Sequence, residues 1–194
     1  MDTYHVVLYI HILSLLVGFG AGIVEVVCLL KLRGAETLEA AVPWGQLAGQ
    51  IEKAFPVAIV GLYATGSYMT QHLWSFSNSW VVMPIVGLAV LSLQGPLVAG
   101  RQGHKLKHAL MANGPGRLGE DARRMTVDRL LWGASFSNEG VVLGIIWVMT
   151  EKPGWGGAIA AVVIGYAVGV AAAVALGRKP VPQPEAEAAM EPAA

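Results

Sequence analysis

Five long apolar stretches, separated by short polar ones, set the pattern of the chain: about 6–30, 54–72, 80–100, 130–150 and 155–177. With a helical rise of about 1.5 Å per residue, each is long enough to cross a hydrocarbon core of about 30 Å. The pattern predicts an all-α fold, a polytopic bundle of about five transmembrane helices over 1–178 embedded in a lipid bilayer. The few polar positions inside the stretches are ordered. In the first, His11, Ser14, Gly18, Gly22 and Glu25 follow at spacings of 3, 4, 4 and 3. At about 100° per residue they share one face, and the Gly18/Gly22 pair lets another helix approach closely. The second stretch repeats the device with Gly61, Thr65, Tyr68 and His72, and the fourth puts Ser135 and Glu139 on one face. Gln94 is the polar group late in the third. The fifth offers Gly165 and Gly169 for packing and is expected at the periphery.

Charge gives the arrangement a direction. Twelve of the 13 Lys and Arg residues fall on one side: Lys31, Arg33 and Lys53, then seven between Arg101 and Arg129, then Arg178 and Lys179. Only Lys152 falls opposite. The positive-inside rule therefore predicts the amino terminus outside the cytoplasm and the carboxyl terminus inside. Trp74, Trp80, Trp147 and Trp155 cluster at the outer ends of the stretches, with Trp44 and Trp132 toward the inner boundary, as interfacial aromatics do. The start, Met1-Asp2-Thr3-Tyr4-His5, lacks the basic residues of a signal peptide, so the first stretch reads as a retained helix. The basic segment 101–128 is expected to form two short interfacial helices, 103–112 and 119–128, broken at Asn113-Gly114-Pro115-Gly116. Residues 179–194, rich in Pro, Ala and Glu, are expected to be a disordered cytoplasmic tail.

Composition narrows the function more than it names it. The chain is 55% hydrophobic and 13% charged, with zero net charge, so nothing points to a nucleic-acid partner. A single cysteine, Cys28, excludes an intrachain disulfide and a cysteine-based zinc site. No phosphate-binding glycine loop, HExxH helix or nucleophile elbow is present. What remains is the polar content of the bilayer, where an ionisable side chain costs about 2.5–3.5 kcal/mol and marks a candidate functional site. Read by depth, these residues form an outer layer of His5, His11, Tyr68 and His72 and an inner layer of Glu25, Gln94, Ser135 and Glu139. Neutral imidazoles on facing helices suit heme b or copper, which makes His11 and His72 the candidate ligands. The inner layer, with no Lys or Arg at its depth, suits a proton or a cation.

The run Leu8-Tyr9-Ile10-His11-Ile12-Leu13, a Gly-rich continuation, Trp74 and Trp80 at the next outer hairpin, and Met149-Thr150-Glu151-Lys152-Pro153-Gly154 closing the fourth stretch resemble bacterial integral membrane proteins of domain-of-unknown-function family 2269. The resemblance covers about residues 4–154. It extends in pattern to copper-resistance CopD-type proteins and heme-binding HemJ-type protoporphyrinogen oxidases. By that likeness His11 takes the place of a first-helix heme ligand, and the location implied is the bacterial inner (plasma) membrane. Phe19 stands where a Trp is usual, and no apolar stretch holds the intramembrane Lys of the HemJ-type enzymes, which argues against porphyrinogen oxidation. Three functions are therefore in play: a heme- or copper-binding membrane protein, a cofactor-free accessory subunit packing its glycine faces on a second copy or a membrane-complex partner, and a small proton-coupled carrier.

Overall fold

The computed structural model describes residues 2–177, and the tail expected to be disordered lies outside them. All regular structure among the described residues is helical. The first helix, α1 (Thr3–Arg33), is capped by Asp2, whose carboxylate accepts the Tyr4 N–H. It is followed by α2 (Leu38–Ile51), α3 (Ala54–Leu73), α4 (Ser79–Gln94), α5 (Arg101–Ala112), α6 (Glu120–Thr126), α7 (Arg129–Glu151) and α8 (Trp155–Gly177). Four helical runs are long and apolar enough to cross a membrane: α1, the α4–α5 run, α7 with its α6 extension, and α8. The remaining long helix, α3, has 20 residues, but Thr65, Ser67, Tyr68, Thr70, Gln71 and His72 make its second half polar.

Between α4 and α5 the chain does not stop. Gly95–Gly100 forms a π-helical turn, so Ser79–Ala112 is one continuous helix of 34 residues. Pro96 has no N–H to give the α-helical ladder, and a locally widened helix absorbs the missing bond. The sequence reading ended this segment near residue 100 and began a separate short helix at 103; the two are one helix because the π turn accommodates the proline without breaking it.

The centre of the bundle is α7, which packs on α1, α4 and α8. Its contact with α8 is backbone against backbone: Gly140 meets Gly165, Gly144 meets Ala161 and Val162, and Gly169 meets Phe136 and Ser137. On the other flank α3 lies antiparallel to α1, with His11 beside Gly66, Ser14 beside Gly61, and Gly18 beside Ala58.

The end that carries the loops is an ordered cap. Leu29, Leu32, Ala41, Leu106, Leu110, Leu118, Leu131 and Trp132 bury one another there. The two loops are joined by a bridge between Thr37 and Arg117, with Leu118 N–H donating to Glu36 O at 2.9 Å and Leu38 N–H to Gly116 O at 2.8 Å. Gly116 sits at φ 98°, a backbone region that only glycine enters freely. Glu39 accepts the Gly116 N–H at 3.0 Å; its own N–H and that of Gly116 hold its carboxyl below the usual range. The helix α2 is a departure from the sequence reading, which left 31–53 as a connection. At the opposite end Lys152, φ 50°, closes α7 and places its ammonium 4.6 Å and 4.9 Å from the ring centroids of Trp74 and Trp80. Ser79 Oγ donates to Pro153 O at 2.7 Å, which ties the α3–α4 and α7–α8 hairpins together.

Candidate functional site

The polar face of α1 serves two neighbours in turn. Near the start of the helix it faces α3. Thr65 Oγ donates to Gly61 O at 2.6 Å, so its only proton is used, and the 2.8 Å contact to His11 must be donated by the imidazole Nδ1. The Nε2 lone pair of His11 is then the free one. His72 is held in the same way, its Nδ1 donating to Tyr68 O at 2.8 Å while its ring stacks on Tyr68 with centroids 4.2 Å apart. The two imidazoles nevertheless stand at different levels. His11 is beside Gly66, and His72 lies six residues further along α3, about 9 Å along the axis, where Asp2, Thr3 and Tyr4 line the same surface cleft. With α1 and α3 touching at Ser14/Gly61 and His11/Gly66, His72 stands beyond the level at which His11 meets α3. His5 faces Asp2 at 3.6 Å and is exposed.

Further along, the same face of α1 meets α7. Ser135 Oγ donates to Glu25 Oε1 at 2.7 Å. One turn away on the same interface, the Glu139 carboxylate fills the space that a side chain at Gly22 would occupy. The Glu139 Oε2 atom is buried with no hydrogen-bond partner, as is the Oδ1 of Asn138 beside it in sequence. Neither Glu25 nor Glu139 has an ion-pair partner among the described residues; Ser135 and Glu52 act on Glu25, and Glu25 acts on Glu139. Gln94 stands apart from this pair. Its Nε2 donates to Ser137 Oγ at 2.7 Å and reaches Ala134 O at 3.4 Å on the α4-facing side of α7. Of the inner layer, then, Glu25, Ser135 and Glu139 come together and Gln94 joins α7 on a different face.

A residue that sequence reasoning passed over completes the picture. Glu52, at the turn between α2 and α3, is exposed and acts electrostatically on Glu25. The α1–α3 register explains this: paired positions such as 11/66 and 18/58 carry on to 25/52. Its sequence neighbours gave no signal, because a Glu beside Lys53 in a connection reads as an ordinary solvated charge.

The family model described as "predicted integral membrane protein (DUF2269)" matches residues 5–153, more than three quarters of the chain. The chain belongs to this family. No curated protein and no solved structure matches it. The matched part of this DUF2269 protein runs from the first turn of α1 through α7, and holds His11, His72, Glu25, Glu139 and the loop-end cap. Only α8 lies beyond it, although α8 packs on α7 more closely than any other helix does.

Proposed function

We propose that this membrane protein carries a proton on the Glu25–Glu139 carboxyl pair, as the ion-handling part of a small proton-coupled carrier. The observation that carries the reading is the placing of both carboxyls on the α1–α7 interface, one turn apart, with the Ser135 hydroxyl donating to Glu25, a buried Glu139 Oε2 without a hydrogen-bond partner, and no ion-pair partner for either among the described residues. Two ionised carboxylates one turn apart in a poorly solvated interface repel each other, and a proton on either of them removes the repulsion. An orphaned buried oxygen is what a protonated or water-bridged carboxyl would use. We further propose that the loop-bearing end faces the cytoplasm, as the distribution of Lys and Arg supports, that α3 crosses with the other four long helices, and that the membrane is the bacterial inner membrane.

Infrared difference spectra of the reconstituted protein, recorded across pH, test the carboxyl pair directly. A carboxylic C=O band that titrates in the wild type should vanish in Glu139→Gln or Glu25→Gln and shift in Ser135→Ala. A titrating band indifferent to all three substitutions, or no such band, would sink the reading.

A further inference from the structure

The continuous helix Ser79–Ala112 carries one outward-facing stripe from end to end, and its chemistry changes at a single point. Val86, Val90, Leu93 and Leu97 are exposed large hydrophobics along α4 and the π turn. Four residues past Leu97 the same exposed stripe continues as Arg101, His104 and His108, with Lys105 beside it. The opposite side of α5 is taken up by Leu106 and Leu110, buried in the loop-end cap. The basic group therefore faces away from the protein, in line with side chains that face lipid tails.

Depth says what it meets. A bilayer is about 30 Å thick in hydrocarbon and about 40–45 Å with its headgroups, so each headgroup layer is little more than one helical turn deep. Arg101 stands one turn past the last lipid-facing leucine, at the headgroup layer, with His104 and Lys105 a second turn on and His108 a third, along the aqueous edge of that layer. The chain holds no Asp or Glu from residue 101 to residue 119, so no acid of α5 or its following loop competes for these groups. Guanidinium, ammonium and imidazole N–H groups are all donors suited to phosphate oxygens.

We propose that Arg101, His104, Lys105 and His108 form a headgroup site for an anionic phospholipid at the flank of the bundle. The site is local: it depends on the stripe of one helix and not on the summed positive charge of the loop-bearing end. The paired residues Arg123 and Arg124, of which Arg124 meets Glu120 on α6, provide the comparison.

The test is native mass spectrometry of the detergent-purified full chain titrated with phosphatidylglycerol or phosphatidylcholine of the same acyl chains. Wild type should retain the anionic lipid in preference. A surface cation contributes on the order of five-fold, so replacing all four residues by Gln should cut that preference about ten-fold or more. Arg123→Gln/Arg124→Gln should keep it. Single Arg101→Gln and Lys105→Gln variants, each expected to lose about five-fold, serve should the fourfold variant elute abnormally. Equal retention of both lipids by the wild type overturns the site, as does an anionic preference untouched by the fourfold variant. Loss in the Arg123/Arg124 variant as well would overturn its local character and leave diffuse charge as the cause.

Discussion

Gly22 has no side chain, and Glu139 reaches α1 through the space this leaves. A branched side chain at Gly22 must drive the carboxylate out and with it the α1–α7 contact that also seats Glu25 on Ser135. Gly22→Val is therefore expected to cost about 1–3 kcal/mol by overpacking. It should lower the midpoint of thermal unfolding, read by thiol-reactive dye at buried Cys28, by about 2–10 °C. A midpoint equal to wild type would show that Glu139 has another place to go. At this scale the sequence was informative about direction and poor about partners. The 3–4 spacing of His11, Ser14, Gly18, Gly22 and Glu25 sent all five toward protein, but a spacing names a face and not the helix opposite it. The same limit separated His11 from His72. Their common layer came from counting inward from helix ends, whereas the register of α1 on α3 is set by where Gly18 meets Ala58 and Ser14 meets Gly61.

Among the elements, the α7–α8 pair is held most closely, and its glycines were legible as packing residues before their partners were known. Gly140 and Gly165 face each other with no side chain between the backbones. Gly165→Leu cannot be relieved by a rotamer change, because what it would strike is the Gly140 carbonyl. We expect it to separate α8 from α7, so that a protease site placed after residue 153 is cut in the purified variant and protected in the parent. The expectation that α8 is peripheral agrees with its exposure on the far side at Val163, Ile164 and Val168. Less legible were α2 and the continuity of α4 with α5. Pro43, Gly45 and Gly49 argue locally against a helix at 38–51, and it forms because Ala41 is fully buried in the cap and Thr37 caps its start. The continuity of α4 with α5 was hidden for a related reason: Gly95-Pro96 reads as a kink near the end of a helix, and the π turn carries the helix through it.

Across the whole molecule the polar groups fall into two compartments. His11, Ser14 and Thr65 lie between α1 and α3, and Glu25, Ser135 and Glu139 lie between α1 and α7. The Gly18–Ala58 contact separates them, with the two levels of α1 from Ser14 to Gly22 about 12 Å apart. Four of the five stretches read as spans form helices long and apolar enough to cross a membrane, whereas the fifth, α3, is polar over half its length and packs on α1. The placement of Ser135 has a further consequence, which concerns the order in which the chain is made. Glu25 and its hydroxyl donor are 110 residues apart in sequence. At about 5–20 residues per second, roughly 5–20 s pass between the synthesis of the carboxyl and that of the helix that satisfies it. Throughout that interval α1, α3 and α4 have no α7 to close around, so the nascent protein must be held by the insertion machinery or degraded. A chain stopped after Asp128 should accordingly be short-lived in a pulse-chase experiment and cross-link through position 25 to an insertase, whereas one stopped after Pro153 should persist without that cross-link.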